Sequence, residues 1–294
     1  MRALALYGML FCIPVPASSI STTQNKARLL LRRQSRPELG VVMGQPLNKR
    51  MYFMDYIPEH NLVACACAKC GSTAMVTFLY QQLFGQPWPH PMSNMHKDIH
   101  NIYLPEWGKA WKVIWDLDQQ KEIMKKAFSF ALVRDPMERL ISSWKSKLQC
   151  TAGPHKSDPG RDSYVLQLQK LHGGLGNGTC MSLENFALAL FEIHQRGDAK
   201  YLNNHFLPQN MGCFNDFPPG NWSKVIHLGH PDTFSTLGAQ IGSKAKSFPS
   251  PHSSQGVIRV SERAFDLLVA VTAQEYQMLG EYLPPSRVAP GNYV

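Results

Sequence analysis

Beyond its first residues, the 294-residue chain has no stretch apolar enough to span a bilayer, and it has no internal repeat. Polytopic membrane and solenoid architectures are thereby excluded. It lacks the Gly-Lys-Ser/Thr order of a nucleoside-triphosphate loop, which counts against a nucleotide or sugar kinase. It also lacks the His/Cys pairs at finger spacing that a zinc module needs. Acidic side chains are in short supply, with 21 Asp and Glu against 30 Lys and Arg, a formal charge of +9. The deficit is local: residues 1–50 hold eight basic residues and one acid, Glu38, which leaves 22 basic and 20 acidic residues in the remainder. A nearly neutral remainder argues against a nucleic-acid partner, whose phosphates need a basic folded surface.

What is present starts with Met1-Arg2, an eleven-residue apolar run from Ala3 to Ile13, and small residues at Val15-Pro16-Ala17. A positive start, a short apolar core and a small-residue cleavage site are the parts of a secretory signal, and the run falls short of the ~20 residues of a spanning helix. Residues 1–17 are expected to be a signal peptide or, if retained, a short signal anchor that associates the chain with a membrane. Residues 18–50 mix Ser, Thr, Gln, Arg and Pro without an apolar period and read as a basic stem, with the folded domain at 51–294. The sequons Asn177-Gly178-Thr179 and Asn221-Trp222-Ser223 agree with passage through the secretory pathway. Besides Cys12 there are six cysteines, whose pairing the sequence does not choose.

Asn61–Cys67 (NLVACAC) is short, apolar and bounded by polar residues, which predicts a buried strand. Ala68–Thr73 reads as a tight turn, and Thr73–Phe84 has apolar residues at helical spacing. Phe128–Val133 (FSFALV) predicts a second buried strand. Asp135 as cap and Pro136 in the first turn open a helix over Met137–Leu148. Helical patterns return at Ser182–Gln195 and Ser261–Tyr282, a third strand is expected at Lys224–Leu228, and 242–255 reads as a loop. This alternation predicts an α/β, P-loop-like three-layer fold with a central parallel sheet flanked by helices. Trp107, Trp111 and Trp115 recur every four residues, a spacing expected of a core stripe. Lys121, Lys125 and Lys126 read as a solvated face.

Two constellations carry chemistry. In the first, a strand runs through Ala68-Lys69-Cys70-Gly71-Ser72-Thr73 into a helix. Such a corner exposes backbone N–H groups at a helix N-terminus, where a phosphate or sulfate is favoured, and Lys69 supplies the countercharge. In the second, Val133-Arg134-Asp135-Pro136-Met137-Glu138-Arg139-Leu140-Ile141-Ser142, a strand delivers Arg134 to its C-terminal end and Ser142 lies two helical turns on. Arg and Ser together can grip one phosphate. The alternative reading of Arg134, Asp135 and Arg139 is a structural ion-pair cluster. Cys65, Cys67 and Cys70 are expected as buried thiols or one disulfide rather than zinc ligands.

Together the two elements resemble the cofactor motifs of sulfotransferases that use 3'-phosphoadenylyl sulfate: Lys-x-Gly-Ser/Thr-Thr for the 5'-phosphosulfate and Arg-Asp-Pro-x-x-Arg-Leu-x-Ser for the 3'-phosphate. The likeness is to Golgi carbohydrate sulfotransferases of the chondroitin 4-O-sulfotransferase type and runs from about Met51 to Tyr282. Asn204-His205-Phe206 with Cys213 and the segment from Val225 to Phe234 add to it. Departures are Ala68 where a Pro usually stands, Met75 for an aromatic, Phe206 for Trp, and a single Cys213 in place of a cysteine cluster.

The resemblance implies transfer of a sulfuryl group to a glycan hydroxyl in the Golgi lumen, with a carbohydrate or glycoprotein acceptor and no metal. It implies cofactor binding by Lys69, Cys70, Gly71, Ser72, Thr73, Arg134 and Ser142. Lys69 would also act in catalysis, by stabilising charge on the leaving phosphate. A base must take the acceptor proton; His96 and His100, between the two motifs, are the favoured candidates and His205 the outside one. Lys145 and Lys147 are candidates for contact with an acidic acceptor. A protein that keeps the nucleotide fold without turnover is the alternative from another class.

Overall fold

The computed structural model describes residues 54–86, 110–149, 161–173, 180–230, 232–242 and 258–291. These contain strands β1 (Met54–Ile57) and β2 (Leu62–Ala66), helix α1 (Ser72–Phe84), β3 (Lys112–Ile114), α2 (Leu117–Met124), β4 (Phe128–Val133) and α3 (Pro136–Lys147). They continue with α4 (Arg161–His172), α5 (Leu183–Gln195), β5 (Lys224–His227), α6 (Thr233–Gln240) and α7 (Glu262–Leu279). The proposed signal at 1–17, the stem at 18–50, Asn177, Cys150, Trp107, His96 and His100 lie outside the described residues, as does most of the loop expected at 242–255. Among the described residues no helix is long and apolar enough to cross a membrane.

Alternation decides which side chains meet. On β2, Leu62 and Ala64 face one way, with Phe130 and Leu132 of β4, and pack under Met75, Val76, Phe78 and Leu79 of α1 and Leu237 of α6. Val63 and Cys65, with Ala131 and Val133, face the other way onto Cys213, Phe214, Phe217, Trp222 and Leu279. A strand buried on both faces shows as an unbroken apolar run, which is why NLVACAC and FSFALV were legible. A third cluster joins α3, α4, α5 and α7 through Leu140, Ile141, Trp144, Leu168, Phe186, Leu190 and Leu268.

The sheet order is β3-β1-β2-β4-β5. β2, β4 and β5 run parallel, whereas β1 pairs antiparallel with both β2 and β3. The expected parallel sheet is therefore β2-β4-β5, extended by an antiparallel edge. Only a 3-10 turn, Pro58–His60, separates β1 from β2. So short a link permits a hairpin and forbids a crossover. The tryptophan stripe is corrected as well. Lys112–Ile114 is a strand, Trp111 is buried, and Trp115 is 49% exposed. Pairing with β1 overrides the helical spacing.

Helix ends follow the sequence closely. Asp135 caps α3 by accepting from Glu138 N at 2.8 Å, and Pro136 occupies the first turn. Ser182 and Ser261 cap α5 and α7 by accepting from Asn185 N and Ala264 N, each at 3.1 Å. Gly85 ends α1 with φ 67, a left-handed conformation that glycine adopts without strain.

Asp55, in the middle of β1, is 2% exposed and accepts a hydrogen bond from Trp111 Nε1 at 2.9 Å. Burial pushes its carboxyl up from the ordinary 3.8 to about 7, only partly opposed by that bond. The native state therefore holds a proton that the unfolded chain has released, and stability falls as pH rises from about 3.8 to about 7. Asp55→Asn keeps an acceptor for Trp111 and carries no charge. It is expected to melt above the parent at pH 8, by on the order of a few kcal/mol, with the advantage gone near pH 4. Thermal melts at the two pH values check this, and a variant no more stable than the parent at pH 8 would refute it.

Candidate functional site

β2 and β4 are parallel neighbours, with Ala66 opposite Leu132, so the turn after β2 and the residue after β4 emerge side by side. In the first turn, Cys70 N donates to Cys67 O at 3.0 Å, and Cys67 and Cys70 form a disulfide. Lys69 lies inside this turn with φ 68 and Gly71 follows with φ 88. Gly71 is the N-cap of α1 and supplies no side-chain cap to the first turn. A Cβ on Gly71 would sit 2.7 Å from Leu228 Cδ1, so a tight approach and a positive φ both select glycine. Lys69, Gly71, Ser72 and Thr73 are all half-buried, Cys70 fully.

Arg134 follows β4 and is likewise half-buried. Its Nη1 donates to Lys69 O at 3.4 Å, which brings the two predicted constellations together. Its Nε lies 3.7 Å from Glu138 Oε2, and Arg287 makes two bonds to the same carboxylate, at 2.7 and 2.8 Å. Burial works to raise the Glu138 carboxyl, but the Arg287 bonds and the Arg287 and Arg134 charges outweigh it and hold the group below its usual range. Ser142 is half-buried on α3, one turn beyond Glu138.

Arg139 is fully buried, with Nη1 donating to His205 O at 3.2 Å and Nη2 3.7 Å from Glu275 Oε1. The two arginines differ: Arg139 is a wholly buried structural cation, whereas Arg134, though paired with Glu138, is only half-buried. Asp135 accepts from the Tyr276 hydroxyl. Burial, reinforced by that bond, raises the Tyr276 pKa well above its ordinary value and keeps the phenol protonated.

His205 is half-buried beside α3. Ser143 Oγ donates to its carbonyl at 2.6 Å, its Nδ1 lies 2.7 Å from Asn203 Oδ1, and its ring meets Tyr164 edge-on at 5.4 Å. Lys147 sits over the other partner of that contact, its Nζ 4.9 Å from the centre of the Tyr164 ring. Lys121, Lys125 and Lys126 are exposed, as expected.

Four residues at this end of the sheet were not singled out in the sequence: Gln209, His227, Glu275 and Arg287. His227 ends β5 opposite Val133; burial lowers its pKa, against the pull of Glu138 and Asp135. Glu275 sits on the buried face of α7, where a lone acid in an apolar helix pattern is the one clue that was available.

The parallel strands β2, β4 and β5, flanked by helices and carrying a lysine-bearing turn and an arginine at adjacent strand ends, make a mixed α/β fold with a central, mostly parallel sheet. Within that class the chain belongs to the sulfotransferase family, which it matches over residues 52–224, more than half its length. No curated protein and no solved structure matches the chain. The matched span contains both constellations and ends at the first residue of β5.

Proposed function

We propose that the chain transfers a sulfuryl group from 3'-phosphoadenylyl sulfate to a carbohydrate hydroxyl in the lumen of the secretory pathway. The observation that carries this reading is the 3.4 Å contact of Arg134 Nη1 with Lys69 O, which holds two cations at the ends of adjacent parallel strands. Two anionic groups on one nucleotide call for two separated cations, and the donors here suit phosphate and sulfate.

The cosubstrate supplies the sulfuryl group and a phosphate leaving group. The acceptor oxygen bonds to sulfur, the bond from sulfur to the bridging phosphate oxygen breaks, and the leaving phosphate takes that electron pair. Lys69 and the N–H groups of Gly71, Ser72 and Thr73 stabilise the charge as it forms. Arg134, with Ser142, anchors the 3'-phosphate. The acceptor proton goes to a histidine, His96 or His100 between the motifs, or His205. In His205 the Nδ1–Asn203 bond favours the tautomer with basic Nε2. Lys147, Tyr164 and His205 form a cationic and aromatic strip that suits an acidic sugar.

Support for a lumenal location comes from Cys65, Cys67, Cys70, Cys180 and Cys213, all disulfide-bonded, and from Asn221 of the second sequon, which is exposed. The test is transfer of label from radioactive 3'-phosphoadenylyl sulfate to a glycan panel. Arg134→Ala is expected to lower kcat/KM for the cosubstrate about 100-fold, the worth of one charge-assisted phosphate grip. Nucleotide binding without transfer to any glycan would favour a non-catalytic binding protein. Failure to bind adenosine 3',5'-bisphosphate would overturn the assignment of the cosubstrate.

A further inference from the structure

Gln209 is fully buried, on a 3-10 turn of three residues, yet its side chain reaches both halves of the site. Its Oε1 accepts from Arg134 N at 3.0 Å, while its Nε2 donates to Arg134 O at 2.9 Å. One primary amide thus brackets one residue's backbone, the pattern that a neighbouring strand would supply. The location explains the need. The ladder from β4 to β5 finishes with Leu228 N donating to Val133 O at 2.7 Å, and α3 takes over only at its cap Asp135. Arg134 falls between strand and helix, where neither provides its hydrogen bonds.

The amide is itself held. Glu275 Oε2 accepts from Gln209 N at 2.8 Å and from Gln209 Nε2 at 3.1 Å. Nε2 has two protons, one for Arg134 O and one for Glu275, so the amide has a single orientation that satisfies every donor. In that orientation Oε1 also lies 3.0 Å from Cys70 Sγ. That sulfur is in a disulfide and has no proton to give, so the contact is one of packing against the Lys69 turn.

We infer that Gln209, oriented by Glu275, is a positioning residue that sets the aim of Arg134 and its register with the Lys69 turn, and so governs recognition of the cosubstrate's 3'-phosphate. This rests on the function proposed above. Gln209 touches no reacting atom; it acts through the backbone of the residue that does the binding. Loss of the bracket frees the Arg134 backbone and removes the partners that Gln209 gives its N–H and C=O.

The measurement is the ratio of affinities for adenosine 3',5'-bisphosphate and adenosine 5'-phosphate, by calorimetry on the whole chain, together with KM and kcat for sulfuryl transfer. In Gln209→Leu the 3'-phosphate preference is expected to fall about tenfold, the worth of one to two hydrogen bonds, with KM for the cosubstrate rising to match and kcat at saturation within about threefold. In Gln209→Glu an ionised carboxylate cannot donate to Arg134 O and repels Glu275. Its preference should be low at pH 8 and recover towards the parent's, measured at the same pH, as the introduced carboxyl is protonated near pH 5. That recovery within a single folded sample is a readout that a merely structural residue would not give, and it decides the matter if Gln209→Leu does not fold. If the parent prefers the 3'-phosphorylated nucleotide and both variants keep that preference at every pH, the inference is overturned and the proposed function stands. A parent without the preference removes both.

Discussion

Lys69→Ala is expected to lower kcat for sulfuryl transfer by about two to three orders of magnitude, the scale of losing one preorganised donor to a developing oxyanion. The loss should fall on kcat more than on binding of adenosine 3',5'-bisphosphate. Charge on the bridging oxygen grows only as the bond to sulfur breaks, so an ammonium placed there is worth most in the transition state. Lys69 is the third residue of a turn closed by Cys70 N and Cys67 O at 3.0 Å, with φ 68, where glycine or asparagine is the unstrained choice. Any residue with a Cβ meets the same cost there, about 1 kcal/mol or more, so alanine is no more strained than lysine. Lys69→Ala should accordingly melt no lower than the parent. Equal losses in kcat and in product binding, or unchanged transfer, would overturn the role given to Lys69.

The parts of this site that were legible in the sequence are those whose chemistry is local. A buried strand, a turn and a helix start leave a contiguous record, so the Lys69 corner and the Asp135-Pro136 helix start could be read directly, and α1 begins one residue before its predicted start. Gln209, Glu275 and Arg287 lie at the same place but come from segments 71 to 153 residues away from Arg134 or Glu138 by chain position, and they meet only through the third dimension. A glutamine on a three-residue 3-10 turn has no periodicity to betray it. The antiparallel edge was hidden for a related reason: β1 and β3 are four and three residues long, too short to show an alternation. The tryptophans misled because spacing of four is ambiguous where a short strand lies between two of them. His205 was legible as a residue; its edge-on contact with Tyr164, below Lys147, was not.

The cysteines gave a wrong count for an instructive reason. The expectation was buried thiols or one disulfide among Cys65, Cys67 and Cys70, but Cys67 lies past the end of β2 and turns with the loop towards Cys70. Cys65 stays in the sheet and bonds to Cys213, 148 residues away. The two bonds should therefore differ sharply in worth. Closing a loop that long removes about 5 kcal/mol of unfolded-chain entropy, whereas a loop of three or four residues removes about 2 kcal/mol. Since domains have net stabilities of about 5–15 kcal/mol, Cys65→Ala with Cys213→Ala should leave a fold close to its limit, while Cys67→Ala with Cys70→Ala should leave it largely intact. The long bond also fixes the 213–222 segment against Val63 and Val133, four residues past Gln209, so its loss should weaken 3'-phosphate recognition along with stability. Denaturant unfolding of the two double variants, each beside the parent, decides the point: equal losses, or a larger loss for the short bond, would contradict this division of labour.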